Sequence, residues 1–156
     1  LGAEGTGFKT AMKVLDNSRL DVAATALGIA EAALADATRW MRERQIGGEP
    51  IASKQGLQWM LADMKLRLEA SWALTLQALA LRQAGQPFTL QSAMAKLHAS
   101  EMVGFVTDAA LQIHGGYGYT REMPLERYVR DARILRIYEG SSEVQRNIIA
   151  RMVLAD

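Results

Sequence analysis

The sequence contains no cysteine, which excludes disulfide bonds, thiolate nucleophiles and cysteine-ligated metal sites. Only two histidines are present and no paired carboxylates have ligand spacing, so the sequence predicts no metal site. No apolar run approaches the roughly 20 residues that span a bilayer, and the first residues lack the basic start of a signal peptide. We therefore expect a cytoplasmic protein that does not use a membrane.

The sequence also lacks an excess of positive or negative charge, because it has 18 basic and 17 acidic residues and a formal net charge of +1. A balanced chain does not attract nucleic acid or an anionic membrane in general, so neither is expected as a partner. Arginines and acidic residues alternate between positions 121 and 136. This pattern indicates ion pairing around a subunit contact rather than a nucleic-acid site.

Helical periodicity runs through most of the chain. An Ala- and Leu-rich segment without proline predicts a first long helix over about 10–44. Glycines and a proline at 47–50 interrupt it, and a leucine and methionine stripe then predicts a second helix ending at Gly85. Thr89 has the character of an N-cap for a third helix, which the pair Gly115-Gly116 would end.

Two shorter helices, over about 125–132 and 142–154, complete the predicted set. Helices joined by short loops, without alternating strand patterns, predict an all-α fold. We expect an antiparallel up-and-down four-helix bundle of long helices with short extra helices. A mass of 17.1 kDa suits one domain with its own core, and the opening on Leu1 without methionine suggests that the chain comes from something longer.

The run RIYEGSSEVQR at 136–146 carries the strongest functional signal. Glu139 follows an apolar and aromatic stretch and precedes a Gly-Ser-Ser turn, which opens a helix through Ser142 and Gln145 in capping-box spacing. Apolar neighbours disfavour the ionised form of a carboxylate, which suits a general base near neutral pH. On spacing alone, a solvent-exposed loop glutamate is the simpler interpretation.

Three ordered blocks of the sequence resemble the acyl-CoA dehydrogenase family. IYEGSSEVQRNIIAR resembles its catalytic segment, and ERQIGGEPIASKQGLQWMLADM at 43–64 and QIHGGYGYTREMPLERYVRDARI at 112–134 resemble two further blocks. The resemblance implies that residues 1–156 form the helical C-terminal domain of an FAD-dependent enzyme. Residues 1–8 would then be the tail of a middle β-domain.

The resemblance also implies a reaction. Members of the family remove the α-proton of an acyl-CoA with a carboxylate while a β-hydride goes to the flavin, which yields the trans-2-enoyl-CoA. Glu139 matches that base, and Gly140 would let the thioester approach the backbone closely. Some branches place the base on the first helix, where the matching residue here is Ser18. Asp16 and Arg19 match positions that touch the CoA, although a solvated surface pair is the plain alternative.

Two flavin sites are implied by the same resemblance. Arg44 and Gln55 match an arginine and a glutamine that reach the FAD of a neighbouring subunit, and a guanidinium suits a pyrophosphate through its bidentate donors. Gly47 stands where the family usually has phenylalanine. The other matching residues are Gln112, Ile113, His114, Gly115 and Gly116 for the neighbour's cofactor, and Ser141, Ser142 and Glu143 for the subunit's own flavin.

Plain structural interpretations remain open for these residues. Arg44 has the position of a helix-end arginine, Gly115 that of a C-cap, and the two serines those of N-terminal caps. The resemblance implies an acyl-CoA substrate, electron-transferring flavoprotein as acceptor, and a homodimer or homotetramer. The rival from another class is a non-catalytic helical assembly module without flavin, and a relative acting on another carbon acid or on oxygen is a third. We expect the chain alone to be inactive.

Overall fold

The computed structural model describes residues 2–155. Most of them are helical, and the all-α prediction is confirmed. Leu1, the first residue of the predicted β-domain tail, lies outside the described residues, and the first helix starts already at Gly7, before residue 8. The elements are α1 (Gly7–Glu43), β1 (Gln45–Ile46), β2 (Glu49–Pro50), a 3-10 turn (Ile51–Ser53), α2 (Gln55–Gln83), α3 (Thr89–His114), a 3-10 segment (Gly115–Tyr119), α4 (Leu125–Ile134) and α5 (Ser142–Val153).

Helices α1 and α3 run parallel to each other. Near their starts, the Thr89 hydroxyl donates a hydrogen bond of 2.8 Å to Asp16. Near their ends, the rings of Trp40 and His114 stack with centroids 5.0 Å apart. The two helices are therefore in contact along most of their length, and residues at both ends of α1 face residues of α3.

Helices α2 and α5 run opposite to α3. On α5, Ser142 binds Glu101, whereas the later Gln145 shares the Gly140 carbonyl with the earlier Lys96. Ser71 of α2 contacts His98 at 2.8 Å, whereas the earlier Arg67 lies over the ring of the later Phe105, 4.1 Å from its centroid. The four helices α1, α2, α3 and α5 thus alternate up and down, as predicted. The fourth member has only 12 residues, and α4 is the extra short helix.

Small side chains line the contact between α1 and α3. Alanines recur on one face of α1 at intervals of three or four residues, and α3 contributes further buried alanines, so the two helices can approach closely. Larger apolar side chains such as Leu27 and Val103 fill the remaining space and are almost completely buried. The fully buried alanines are Ala23, Ala26, Ala30, Ala33 and Ala37 on α1, and Ala93, Ala95, Ala99 and Ala110 on α3.

Two details of the helix ends differ from the predictions. Phe88, not Thr89, is the N-cap of α3 and makes no side-chain cap, because the Thr89 hydroxyl is directed to Asp16 instead. A short antiparallel hairpin, which periodicity does not reveal, joins α1 to α2 and pairs Ile46 with Glu49. The predicted end of α3 is confirmed, since Gly115 follows it with a φ of 60°.

Part of the predicted ion pairing among the late arginines is present. Arg130 pairs with Glu126 within α4 at 2.8 Å, and Arg136 pairs with Glu101 of α3 at 3.3 Å. Partly exposed pairs of this kind contribute roughly 0 to 1 kcal/mol each. Their part in a subunit contact stays a prediction. Among residues 2–155, no helix is both long and apolar enough to cross a bilayer.

Two leucines two positions apart on α2 test where the core lies. Leu68 is 2% exposed and Leu66 is 68% exposed. We expect Leu68→Ala to lower the free energy of unfolding by about 2 to 5 kcal/mol, since it leaves a cavity, and Leu66→Ala to change it by less than about 0.5 kcal/mol. Denaturant unfolding of both variants measures this, and equal losses would contradict the packing described.

A second prediction concerns His98, which is half-buried between α2 and α3 beside Ser71, Arg67 and Glu101. Burial, and then the charge of Arg67, lower the pKa of His98 from its ordinary value of 6.5. The lowered pKa means that the His98 imidazole is protonated more readily in the unfolded chain than in the folded one. Neutral His98 therefore contributes to the stability of the fold above about pH 6.5, and this contribution is lost as pH falls.

Replacing His98 by glutamine should therefore reduce the loss of stability on acidification. The measurement is the free energy of unfolding of parent and His98→Gln at several pH values between about 7.5 and 5. Parallel pH profiles for the two proteins would show that this histidine is not responsible.

Candidate functional site

The turn between α4 and α5 carries Glu139. Glu139 and Gly140 are both left-handed, with φ of 54° and 87°, and Glu139 is the sole non-glycine residue with positive φ among residues 2–155. Such a conformation costs a side-chain-bearing residue on the order of 1 to 3 kcal/mol and persists only where its surroundings impose it. The turn therefore has to be held by other groups.

Two buried side chains hold the turn through its carbonyl oxygens. Lys96 Nζ donates a hydrogen bond of 2.6 Å to the Gly140 carbonyl. The Gln145 amide donates to the carbonyls of Glu139 and Gly140, each at 3.1 Å. Both side chains are fully buried, and a Cβ at Gly140 would lie 2.5 Å from the Gln145 nitrogen. Glycine is therefore favoured at 140 by its φ, and a Cβ there would displace the Gln145 amide from the turn.

The Glu139 carboxylate itself is fixed from α1. The Ser18 hydroxyl donates to Glu139 Oε2 at 2.6 Å, and the glutamate is half-buried. The two positions that the sequence resemblance matched to the family's base, Ser18 and Glu139, are therefore in direct contact. Here one of them is a serine, which positions the carboxylate of the other.

Lys96 escaped the sequence analysis because a lysine in a helix is usually exposed. Burial first, and then the charge of Arg19, lower the pKa of Lys96 from its ordinary value, while nearby carboxylates, Glu139 first among them, oppose this. One signal was available, since Lys96 falls on the stripe that includes Ser92, Ala99 and Val103, all of which are buried.

Asp16 and Arg19 form a largely buried ion pair rather than a solvated one. They are joined at 2.5 Å, and the Arg19 side chain is only 5% exposed. Asp16 also accepts the hydrogen bond from Thr89, and Arg19 Nε has no hydrogen-bond partner within residues 2–155. Most of the pair's bonding capacity is used internally, and contact with CoA stays a prediction.

The start of α5 differs from the predicted capping box. Ser141, not Ser142, is the N-cap, and its oxygen accepts a long 3.5 Å bond from Val144 N–H. Ser142 is buried, and its hydroxyl donates to Glu101 at 2.8 Å. Gln145 points back to the turn instead of capping, because the two carbonyls there need donors. The predicted N-cap is therefore wrong by one residue, and the reciprocal bond of a capping box is not formed, since Val144 has no polar side chain.

Ser141 and Glu143 remain accessible at this helix start, whereas Ser142 does not. A hydrogen bond from Ser141, then one from its own backbone N–H, lower the pKa of Glu143 from its ordinary value. This carboxylate lies in solvent. Of the three residues predicted beside the subunit's own flavin, two therefore present free surface.

The second group of predicted residues surrounds a cavity of about 500 Å³ at the other end of the bundle. The C-terminal end of α1, the hairpin and the segment after α3 form its walls. Gln55 and Gln112 are exposed nearby but do not line it. The predicted residues that do line the cavity are Arg44, Ile113, His114, Gly115 and Gly116.

Aromatic rings form one wall of this cavity. Trp40 stacks on His114 and lies 5.3 Å from the Tyr117 ring, over which the Arg44 guanidinium sits at 5.6 Å. His114 Nδ1 donates to the Ala110 carbonyl at 2.7 Å, and its buried Nε2 has no hydrogen-bond partner in the described part of the chain. Sequence reasoning missed Trp40, one helical turn before Arg44.

Gly47, the departure from the family pattern, has a local explanation. Gly47 and Gly48 have φ of 66° and 84° and form the two-residue turn between β1 and β2. A turn with positive φ at both central residues favours glycine and disfavours phenylalanine. An apolar side chain at the cavity comes instead from the neighbouring Ile46.

The two clusters are far apart. Trp40 follows Ser18 by about 22 residues on α1, so at about 1.5 Å per residue they lie roughly 33 Å apart. A single small ligand cannot touch both. The chain therefore presents a carboxylate site and a separate aromatic and guanidinium cavity.

Comparison with known proteins places these features in a family. The family described as "Acyl-CoA dehydrogenase, C-terminal domain" matches residues 5–154. Acryloyl-CoA reductase (NADH) of Anaerotignum propionicum is 53% identical over 99% of this chain and 39% of its own length. Butyryl-CoA dehydrogenase from Megasphaera elsdenii superimposes with a TM-score of 0.97 and 49% identity over 99% of this chain and 40% of that one.

Another solved structure is equally similar. A chain from work on the electron transferring flavoprotein of Acidaminococcus fermentans has a TM-score of 0.99 and 49% identity, covering all of this chain and 41% of that one. The chain described here thus spans about two fifths of the relatives it matches.

The demand for glycine at 140 can be tested against a glycine that has free space. Gly85 also has a positive φ, of 65°, but a Cβ there would meet nothing within 4 Å. Gly85→Ala should cost about 1 kcal/mol of stability for its φ alone. Gly140→Ala should cost clearly more, because it also displaces Gln145. Denaturant unfolding compares them, and equal costs would contradict the crowding at 140.

Proposed function

Because the chain belongs to the acyl-CoA dehydrogenase C-terminal domain family, we propose that it supplies the base and parts of two flavin sites to an enzyme that dehydrogenates an acyl-CoA thioester. The product is the trans-2-enoyl-CoA. The carboxylate of Glu139 accepts the α-proton, and the β-hydrogen leaves as a hydride. FAD, when bound, supplies the hydride acceptor.

The observation that carries this proposal is the fixed position of the Glu139 carboxylate. An α-carbon next to a thioester is a weak acid, so its base has to be held within reach, and a positioned base contributes roughly 10² to 10⁴ in rate. Ser18 holds the carboxylate, and Lys96 and Gln145 hold the backbone beneath it. A strained turn that several buried side chains support is better explained by a functional glutamate than by a glutamate without a role.

The residues around the cavity suit a dinucleotide. Arg44 offers bidentate donors for a pyrophosphate, Trp40 and Tyr117 offer aromatic faces, and Gly115 and Gly116 leave backbone groups accessible. Ser141 and Glu143 lie beside Glu139 and would face the flavin that serves the same subunit. Since the two clusters are roughly 33 Å apart on α1, we assign them to two different FAD molecules, which supports a homodimer or homotetramer.

The substrate class and partners follow from the relatives. The similarity to butyryl-CoA dehydrogenase favours a short acyl-CoA, and the match to a chain from work on an electron transferring flavoprotein favours that protein as electron acceptor. We also propose that the protein is cytoplasmic, and fractionation of the source cells followed by immunoblotting tests this location.

A second candidate is the reverse reaction, which the 53% identity to acryloyl-CoA reductase (NADH) favours. Reduction of a short enoyl-CoA would use the same turn, with Glu139 returning a proton to the α-carbon. The β-carbon would receive a hydride from reduced flavin, which NADH would reduce in turn. Initial rates with butyryl-CoA and with a short enoyl-CoA distinguish the directions. The non-catalytic assembly module is the remaining alternative, and it predicts neither rate.

We expect Glu139→Gln in the full-length gene product to lower kcat by at least roughly 10²-fold, since the amide keeps the shape and loses the proton acceptor. Flavin content should stay at the parental level. The matched control is Glu69→Gln, at an exposed position on α2, which should leave turnover unchanged. Turnover of Glu139→Gln within about threefold of the parent would refute the assignment.

A further inference from the structure

Lys96 is the one lysine in residues 2–155 with a fully buried side chain. It projects from the middle of α3 to the turn between α4 and α5, where its nitrogen lies 2.6 Å from the Gly140 carbonyl oxygen. Removing an amine from water is costly unless it gains strong partners. A methionine or leucine would fill the same volume without that cost, so packing alone does not explain this residue.

The surroundings of Lys96 are those of a charged network around the turn. Arg19, whose buried guanidinium pairs with Asp16, lies on one side and disfavours a second positive charge, whereas the carboxylates of Glu139 and Glu101 favour it. Lys96 and Gln145 bind the backbone carbonyls of the turn, and Ser18 binds the Glu139 side chain. Helices α1, α3 and α5 therefore all contact the turn.

We propose that Lys96, together with Gln145, is a positioning residue for the reaction assigned above: by donating to the carbonyls of the left-handed Glu139–Gly140 turn, it holds the carboxylate in the orientation needed for proton transfer. This inference rests on the proposed role of Glu139. Lys96 itself does not touch the substrate or the reacting atoms.

The physical path from Lys96 to the carboxylate is short. Its acceptor is the carbonyl of the residue that follows Glu139, and Gln145 binds both carbonyls. Without these donors the positive φ of Glu139 is no longer imposed, so the backbone relaxes and the side chain moves away from the Ser18 hydroxyl. A displacement of about 1 Å in a reacting group costs roughly 10²-fold in rate.

The test uses Lys96→Met in the full-length gene product, beside Lys65→Met as the matched control. Lys65 is 59% exposed on α2 and pairs with Glu69. We expect Lys96→Met to lower kcat by roughly 10- to 100-fold, with KM for butyryl-CoA and flavin content within about twofold of the parent. Its thermal midpoint should be unchanged or raised, since methionine fills the volume without a buried amine, and Lys65→Met should match the parent.

Each result decides between positioning and structure. Parental kcat in folded Lys96→Met overturns the proposal, and so does a loss of kcat that is accompanied by lost flavin and a lowered thermal midpoint, because that is a structural defect. If Lys96→Met does not fold, Gln145→Met removes the other donor to the turn. A loss of kcat with KM and flavin intact then supports the proposal, and parental kcat overturns it.

Failure of this inference is separable from failure of the proposed function. If Glu139→Gln is inactive while Lys96→Met and Gln145→Met turn over like the parent, only the positioning role is wrong. If Glu139→Gln itself retains parental turnover, Glu139 is not the base. The positioning role then falls with it.

Discussion

The candidate active site depends on the hydrogen bonds that support two consecutive left-handed residues. Glu139 would not adopt its φ of 54° in an unsupported loop. Buried donors from α3 and α5 satisfy the carbonyls of the turn, and a hydroxyl from α1 fixes the carboxylate. Three helices therefore converge on this turn, and their packing determines where the Glu139 carboxylate lies.

Close packing of α1 against α3 is the second requirement. The alanines between them permit close approach, so Ser18 of α1 and Lys96 of α3 both reach the same turn. The same pair of helices, at their other ends, brings Trp40 against His114 and forms the aromatic wall of the cavity. One helical pair thus connects a carboxylate site with an aromatic cavity roughly 33 Å away, an arrangement consistent with the proposal that the two sites serve different FAD molecules.

Helical periodicity was sufficient to predict the fold class, the three long helices and the glycine that ends α3. The resemblance of three blocks led to Glu139, Arg44 and the segment after α3. Residue-level bonding was beyond sequence reasoning, because tertiary partners compete for the same groups. Thr89 binds Asp16 rather than capping its helix, and Gln145 binds the turn rather than completing a capping box. Lys96 shows the same limit more clearly, since only the packed structure shows which lysine is buried and what it binds.

The most direct test of the central claim is exchange of the α-hydrogen of butyryl-CoA with D₂O, catalysed by the full-length gene product without an electron acceptor. The account predicts deuterium at the α-carbon with the parent, and a rate at least roughly 10²-fold lower with Glu139→Gln. Exchange by Glu139→Gln at the parental rate would contradict it.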